Sequence, residues 1–140
     1  MGKVQILAVL TMDGCLSSEL YDKAHQDLCL DRCGLDEIRK KAFYRVTPDY
    51  SISMLHEWRK DCTNIRYLAE ATPDTADYIN GLLRMHAVDE IILYTVPFIS
   101  GSGRHFFKSA LPEQHWTLSS LKSYPNGVCR IIYILSLIHI

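Results

Sequence analysis

Few residues in this chain have the type and spacing that chemistry requires. The loop Gly101-Ser102-Gly103 follows an apolar run, Ile91 to Val96, and its glycines permit φ > 0 or a close approach of a ligand to the backbone. Ser100, Ser102 and His105 bring hydroxyls and an imidazole together there. A glycine loop leading into a strand, however, lacks the strand–turn–helix of a nucleophile elbow and reads as a plain loop. The histidines His25, His56, His86, His105, His115 and His139 show neither HxH nor HxxxH spacing. Cys15, Cys29, Cys33, Cys62 and Cys129 are odd in number and contain no CxxC pair, so they read as free thiols in a reducing cytosol and not as metal ligands or disulfides.

The elements around those residues predict an α/β chain. Residues 3–11 (KVQILAVLT) are almost wholly apolar, which predicts a central strand ended by the turn Met12-Asp13-Gly14. Residues 17–30 offer N-cap side chains and an apolar stripe, and residues 35–44 place Leu35, Ile38 and Ala42 at helical spacing with acids early and bases late. Residues 50–55 predict a short strand, 56–61 a polar loop or a single turn and 64–69 a third strand. Thr72-Pro73-Asp74 reads as a helix start, the helix running to about His86. Asp89 and Glu90 lead into the strand 91–96, buried on both faces, and Pro97 loosens its pairing. Residues 116–124 alternate imperfectly, Pro125-Asn126-Gly127 is a hairpin turn, and 128–135 form the returning strand. The terminal LSLIHI resembles the translation of a sequencing-library adaptor, so 1–134 is read as the domain and 135–140 as a foreign tail.

Composition narrows the functions. The chain has 140 residues, enough for one domain, with 15 Lys+Arg against 16 Asp+Glu. That balance speaks against nucleic acid and against an anionic membrane surface. The apolar N-terminal run is too short and too strand-like for a signal peptide, and nothing approaches a membrane span. The expectation is a cytoplasmic protein.

Three segments, in order, resemble the dihydrofolate-reductase-like superfamily, and within it the C-terminal reductase domain of bacterial riboflavin biosynthesis enzymes. They are the first strand with its Met12-Asp13-Gly14 turn; Val88-Asp89-Glu90-Ile91 with Pro97 and Gly101-Ser102-Gly103-Arg104; and Lys122 to Val128 at the hairpin. The resemblance implies a three-layer α/β sandwich with a mixed central sheet, a shortened cofactor half and a C-terminal β-hairpin. It also implies a homodimer that transfers hydride from NADPH to a small heterocycle of pyrimidine or pterin type. In such a site Ala8, Thr11, Asp13 and Gly14 lie beside the nicotinamide, and Asp13 orients substrate or a proton-relaying water. Gly101 and Gly103 line the same site, and Thr72 with the amides after it offers an anion site.

The middle of the chain departs from that pattern. The family's Gly-Arg-x-Thr segment is replaced by SISMLHEW (residues 51–58), and the strand and loop that hold the ribose phosphate are absent. Its Gly-Gly junction is Ala69-Glu70-Ala71-Thr72, where β-carbons crowd phosphate and Glu70 repels it by about 1 kcal/mol. Two functions stay open: a reductase, or a relative that keeps fold and dimer surface but binds no dinucleotide.

Overall fold

A computed structural model describes residues 2–16, 33–61, 65–101, 105–108 and 110–135. Residues 17–30, read as a helical or irregular stretch, Gly103 and most of the LSLIHI tail lie outside these residues. Among the described residues nine elements follow one another: β1 (Lys3–Leu10), α1 (Leu35–Lys41), β2 (Tyr44–Arg45), α2 (Ile52–Asp61), β3 (Arg66–Glu70), α3 (Ala76–Arg84), β4 (Glu90–Thr95), β5 (Trp116–Ser123) and β6 (Cys129–Leu135).

The strands form one six-stranded mixed sheet, ordered β2-β3-β1-β4-β6-β5. β1 lies at its centre, parallel to β3 on one side and to β4 on the other, with Gln5 opposite Glu90 and Leu10 opposite Thr95. β6 is antiparallel to β4, and β5 closes the sheet as the outer strand of the hairpin. A strand covered on both faces must be apolar at consecutive positions, and β1 is buried from Val4 to Leu10.

Alternation along the strands sorts their side chains into two cores. Val4, Ile6 and Ala8 of β1 and Ile91 of β4 pack with Leu55 of α2 and with Ile79 and Leu82 of α3. Leu7 and Val9 of β1, with Ile92 and Tyr94 of β4, pack with Leu35 and Ile38 of α1 on the other face. The result is the expected three-layer α/β sandwich with a C-terminal hairpin.

Local departures have local causes. The strand expected at 50–55 and the loop expected at 56–61 are one helix, α2. Ser51 Oγ accepts the Met54 amide at 3.1 Å as an N-cap, and Ile52, Leu55 and Trp58 recur every three residues on the face that meets the core. α1 stops at Lys41, three residues short of the expectation, because Tyr44 and Arg45 leave to pair with Tyr67 and Leu68 of β3. α3 begins at Ala76, after a turn built by Thr72 and Thr75. The imperfect alternation of β5 is a β-bulge between Leu118 and Ser120. Leu135, assigned to the tail, pairs with Trp116 as the last residue of β6.

Candidate functional site

Open α/β sheets offer a ligand crevice at the carboxyl ends of their strands, where neighbouring connections leave to opposite faces. Here β1 is followed by α1 on one face and the adjacent β3 by α3 on the other. The residues beyond Leu10, Glu70 and Thr95 therefore form the candidate site.

The end of β1 is a tight reversal. The Thr11 amide donates to the Cys15 carbonyl at 2.8 Å, the Gly14 amide to the Thr11 carbonyl at 3.0 Å, and the Cys15 amide to Thr11 Oγ1 at 3.1 Å. Gly14 holds φ 80°, a conformation that glycine reaches without penalty. Beside it the end of β4 is tied on by the Val96 amide to the Leu10 carbonyl at 2.9 Å and by the Met12 amide to the Phe98 carbonyl at 2.8 Å.

Asp13 clasps these two strand ends. The Thr11 hydroxyl and the Ser100 amide (3.2 Å) donate to its Oδ1, and the Gly101 amide donates to Oδ2 at 3.0 Å. The Thr11 hydroxyl, followed by the Gly101 and Ser100 amides, holds the carboxyl well below the usual carboxylate range. It therefore stays ionised near neutrality and acts as an acceptor, able to orient a donor on a ligand or a water but carrying no proton to deliver. Gly101 sits at φ 74° with open space on its Cβ side.

The structure thus brings Thr11, Asp13, Gly14 and Gly101 together. Ala8 is elsewhere, inside the core three residues before Thr11, with Leu93 opposite it. Trp58 and Tyr67 stack against one another at the far end of the sheet, level with Val4.

Sequence reasoning overlooked Asn80. It is fully buried: its Nδ2 donates to the Ala76 and Phe106 carbonyls, each at 2.8 Å, and its Oδ1 accepts the Lys108 amide at 3.0 Å. The Phe106 amide in turn donates to the Gly14 carbonyl at 3.1 Å, so Asn80 anchors the segment that returns from the glycine loop to the Asp13 turn. The signal was present in the sequence, since Ala76, Ile79, Asn80 and Leu83 recur as one helical face and only one of them is polar.

A dinucleotide would need free amides at the β3–α3 junction. Thr72 and Thr75 instead close on one another: the Thr72 amide donates to Thr75 Oγ1 at 2.8 Å and the Thr75 amide to Thr72 Oγ1 at 3.2 Å. Pro73 has no amide hydrogen, the Ala76 amide donates to the Thr72 carbonyl, and Asp77 adds a negative charge to the first turn of α3. These residues do not fit a pyrophosphate. Glu70 is not the obstacle the sequence suggested. It points to the α1 face of the sheet, with Leu68, and is paired there with Arg39 and, at 3.3 Å, with Arg45.

Among the described residues, no group of three His, Cys, Asp or Glu side chains converges as a metal site, and no helix is long and apolar enough to cross a membrane. No protein-family model matches the chain, and no curated protein matches it. Solved structures do. A Shewanella sp. PV-4 protein assigned to riboflavin biosynthesis superposes with a TM-score of 0.59 at 9% identity, over 96% of this chain and 99% of that one. RibD of Acinetobacter baumannii superposes with a TM-score of 0.59 at 14% identity, over 97% of this chain and 58% of its own length. Likeness at such identities is likeness of fold, and the architecture described above is accordingly the dihydrofolate-reductase-like fold found in these riboflavin-biosynthesis proteins.

Proposed function

We propose that this chain is a reductase-scaffold protein that receives a small heterocycle at the carboxyl ends of β1 and β4 and has lost the cradle for NADPH. The observation that carries this reading is the closed Thr72–Thr75 turn around Pro73, which occupies the Thr72 and Thr75 amides with each other's hydroxyls. The ionised Asp13 carboxylate and the open Gly101 corner supply an acceptor and a close backbone approach for a planar ring bearing N–H donors. A second reading, an NADPH-dependent reductase of a pyrimidine or pterin, is favoured by the near-complete overlap with the Shewanella protein.

Titration with NADPH, followed by nicotinamide fluorescence and thermal shift, separates the two, because a ligand that binds only the folded state raises its apparent stability. The expected result is no shift at millimolar NADPH and a saturable shift with a pterin or a uracil-type pyrimidine. An NADPH-dependent shift accompanied by heterocycle-dependent loss of nicotinamide absorbance would overturn the proposal in favour of the second reading.

A homodimer belongs to the same proposal. Leu118 pairs with Tyr133 and Leu121 with Ile131, so the bulge in β5 turns both leucines to one face of the hairpin, where they are 52% and 63% exposed. That face continues into an apolar cleft of about 220 Å³ lined by Ile91, Leu93, Phe107, Trp116 and Tyr133. A second copy covering it would remove this apolar surface from water. Light scattering should report a dimer, and Leu121→Glu should return a monomer.

A further inference from the structure

We propose that the groove between α1 and the sheet binds the oxyanion of a small molecule through Arg130, Arg66 and Lys41. Arg130 pairs with Tyr94 across β4 and β6 and therefore points to the α1 face. Its guanidinium lies beside the Tyr94 phenol, whose hydroxyl donates to the Cys33 carbonyl, and passes Gly34 so closely that a β-carbon there would lie 3.2 Å from Nη1. Arg130 Nε, however, is buried without a hydrogen-bond partner. A guanidinium N–H shut away from water calls for an acceptor, and the oxygen of a carboxylate or phosphate is an acceptor whose charge and geometry suit it.

The surroundings agree with an anion. Arg130, Arg66 and Lys41 line one groove of about 200 Å³, and none of them is ion-paired with a described residue. Glu37 and Glu90 line it as well, and Glu90 accepts a hydrogen bond at 3.2 Å from the buried Gln5 amide. Three cations against two carboxylates leave the lining one positive charge in excess. A monoanionic head neutralises that excess, while the two carboxylates select a ligand that also carries N–H or O–H donors. Carboxylate and phosphate esters share this chemistry.

The test uses inorganic phosphate and, in parallel, acetate, each balanced with sodium chloride to constant ionic strength. Thermal shift and the NMR signal of the Arg130 Nε–H are the readouts. A saturable rise in stability with movement of that signal is expected from at least one of the two anions. Arg66→Gln, at an exposed position that leaves the fold intact, should weaken the apparent affinity about tenfold through the loss of one charge-assisted bond. Arg130→Gln should abolish the response. The inference is overturned if neither anion gives a saturable rise, if the Arg130 signal stays still at saturation, or if Arg66→Gln binds as the natural chain does.

Discussion

Replacing Asn80 tests how the returning segment is held against the site. In Asn80→Ala the Phe106 carbonyl and the Lys108 amide lose their side-chain partner, while the Ala76 carbonyl keeps its place in α3. A polar group left unsatisfied in the interior costs roughly 1–3 kcal/mol, with Lys108, only half-buried, at the lower end, so the expected loss is about 3 kcal/mol. In a domain of this size that corresponds to a fall in Tm of roughly 10 °C. Asn80→Asp should be worse near neutrality, since it turns a buried carboxylate toward two carbonyl oxygens that now receive a donor. Urea unfolding measures both, and hydrogen exchange should show the Phe106 and Lys108 amides losing protection first. A cost below about 1 kcal/mol for the alanine variant, or an aspartate variant as stable as the natural chain, would refute the anchoring role.

Three further outcomes follow from other contacts. Asp13 is held below its unfolded pKa, so the stability it contributes is present above the ordinary carboxylate range and lost as pH falls through and below it; Asp13→Asn should flatten that acid limb in urea midpoints, and an unchanged limb would show that the clasp is not linked to folding. Burial pushes the Tyr94 phenol up to about 12, so stability should be lost as pH rises from the unfolded value near 10 to that point, and Tyr94→Phe should remove the dependence from alkaline unfolding curves. Gly127 combines φ 89° with a Cβ position 3.0 Å from the Pro97 ring; Gly127→Ala should cost about 2 kcal/mol by denaturant unfolding, and a loss within about 0.5 kcal/mol would mean that the hairpin turn and the Pro97 loop move apart freely.

The fold was legible where burial forces composition. β1 and β4, shielded on both faces, could only be apolar runs, and Pro125-Asn126-Gly127 could only be a tight reversal. Segments 50–55 and 56–61 were misread because an apolar face recurring every three residues over one polar helix looks, in short windows, like a strand followed by a loop. Trp116, Leu118 and Leu121 match no regular strand period, since a bulge adds one residue between the two leucines. The sequence pointed to Thr72 as the cap, whereas Thr75 holds that position before α3, and the reciprocal bonds that occupy the Thr72 amide required the position of Thr75.

Taken alone, the order of residues determined the class of fold, the central place of two strands and the glycine and aspartate positions at their ends, because each reflects a local demand of burial or backbone conformation. Only the tertiary structure decided what those positions do. Ser100 and Gly101 lie 87 and 88 residues from Asp13, and their amides make its carboxylate a clasp. Asn80 anchors a segment from 26 residues away, and strand alternation turns Glu70 from a phosphate's repeller into the partner of two arginines on the opposite face. Electrostatics and hydrogen bonding act over a few ångströms of space, and proximity of that kind is created by the chain's path.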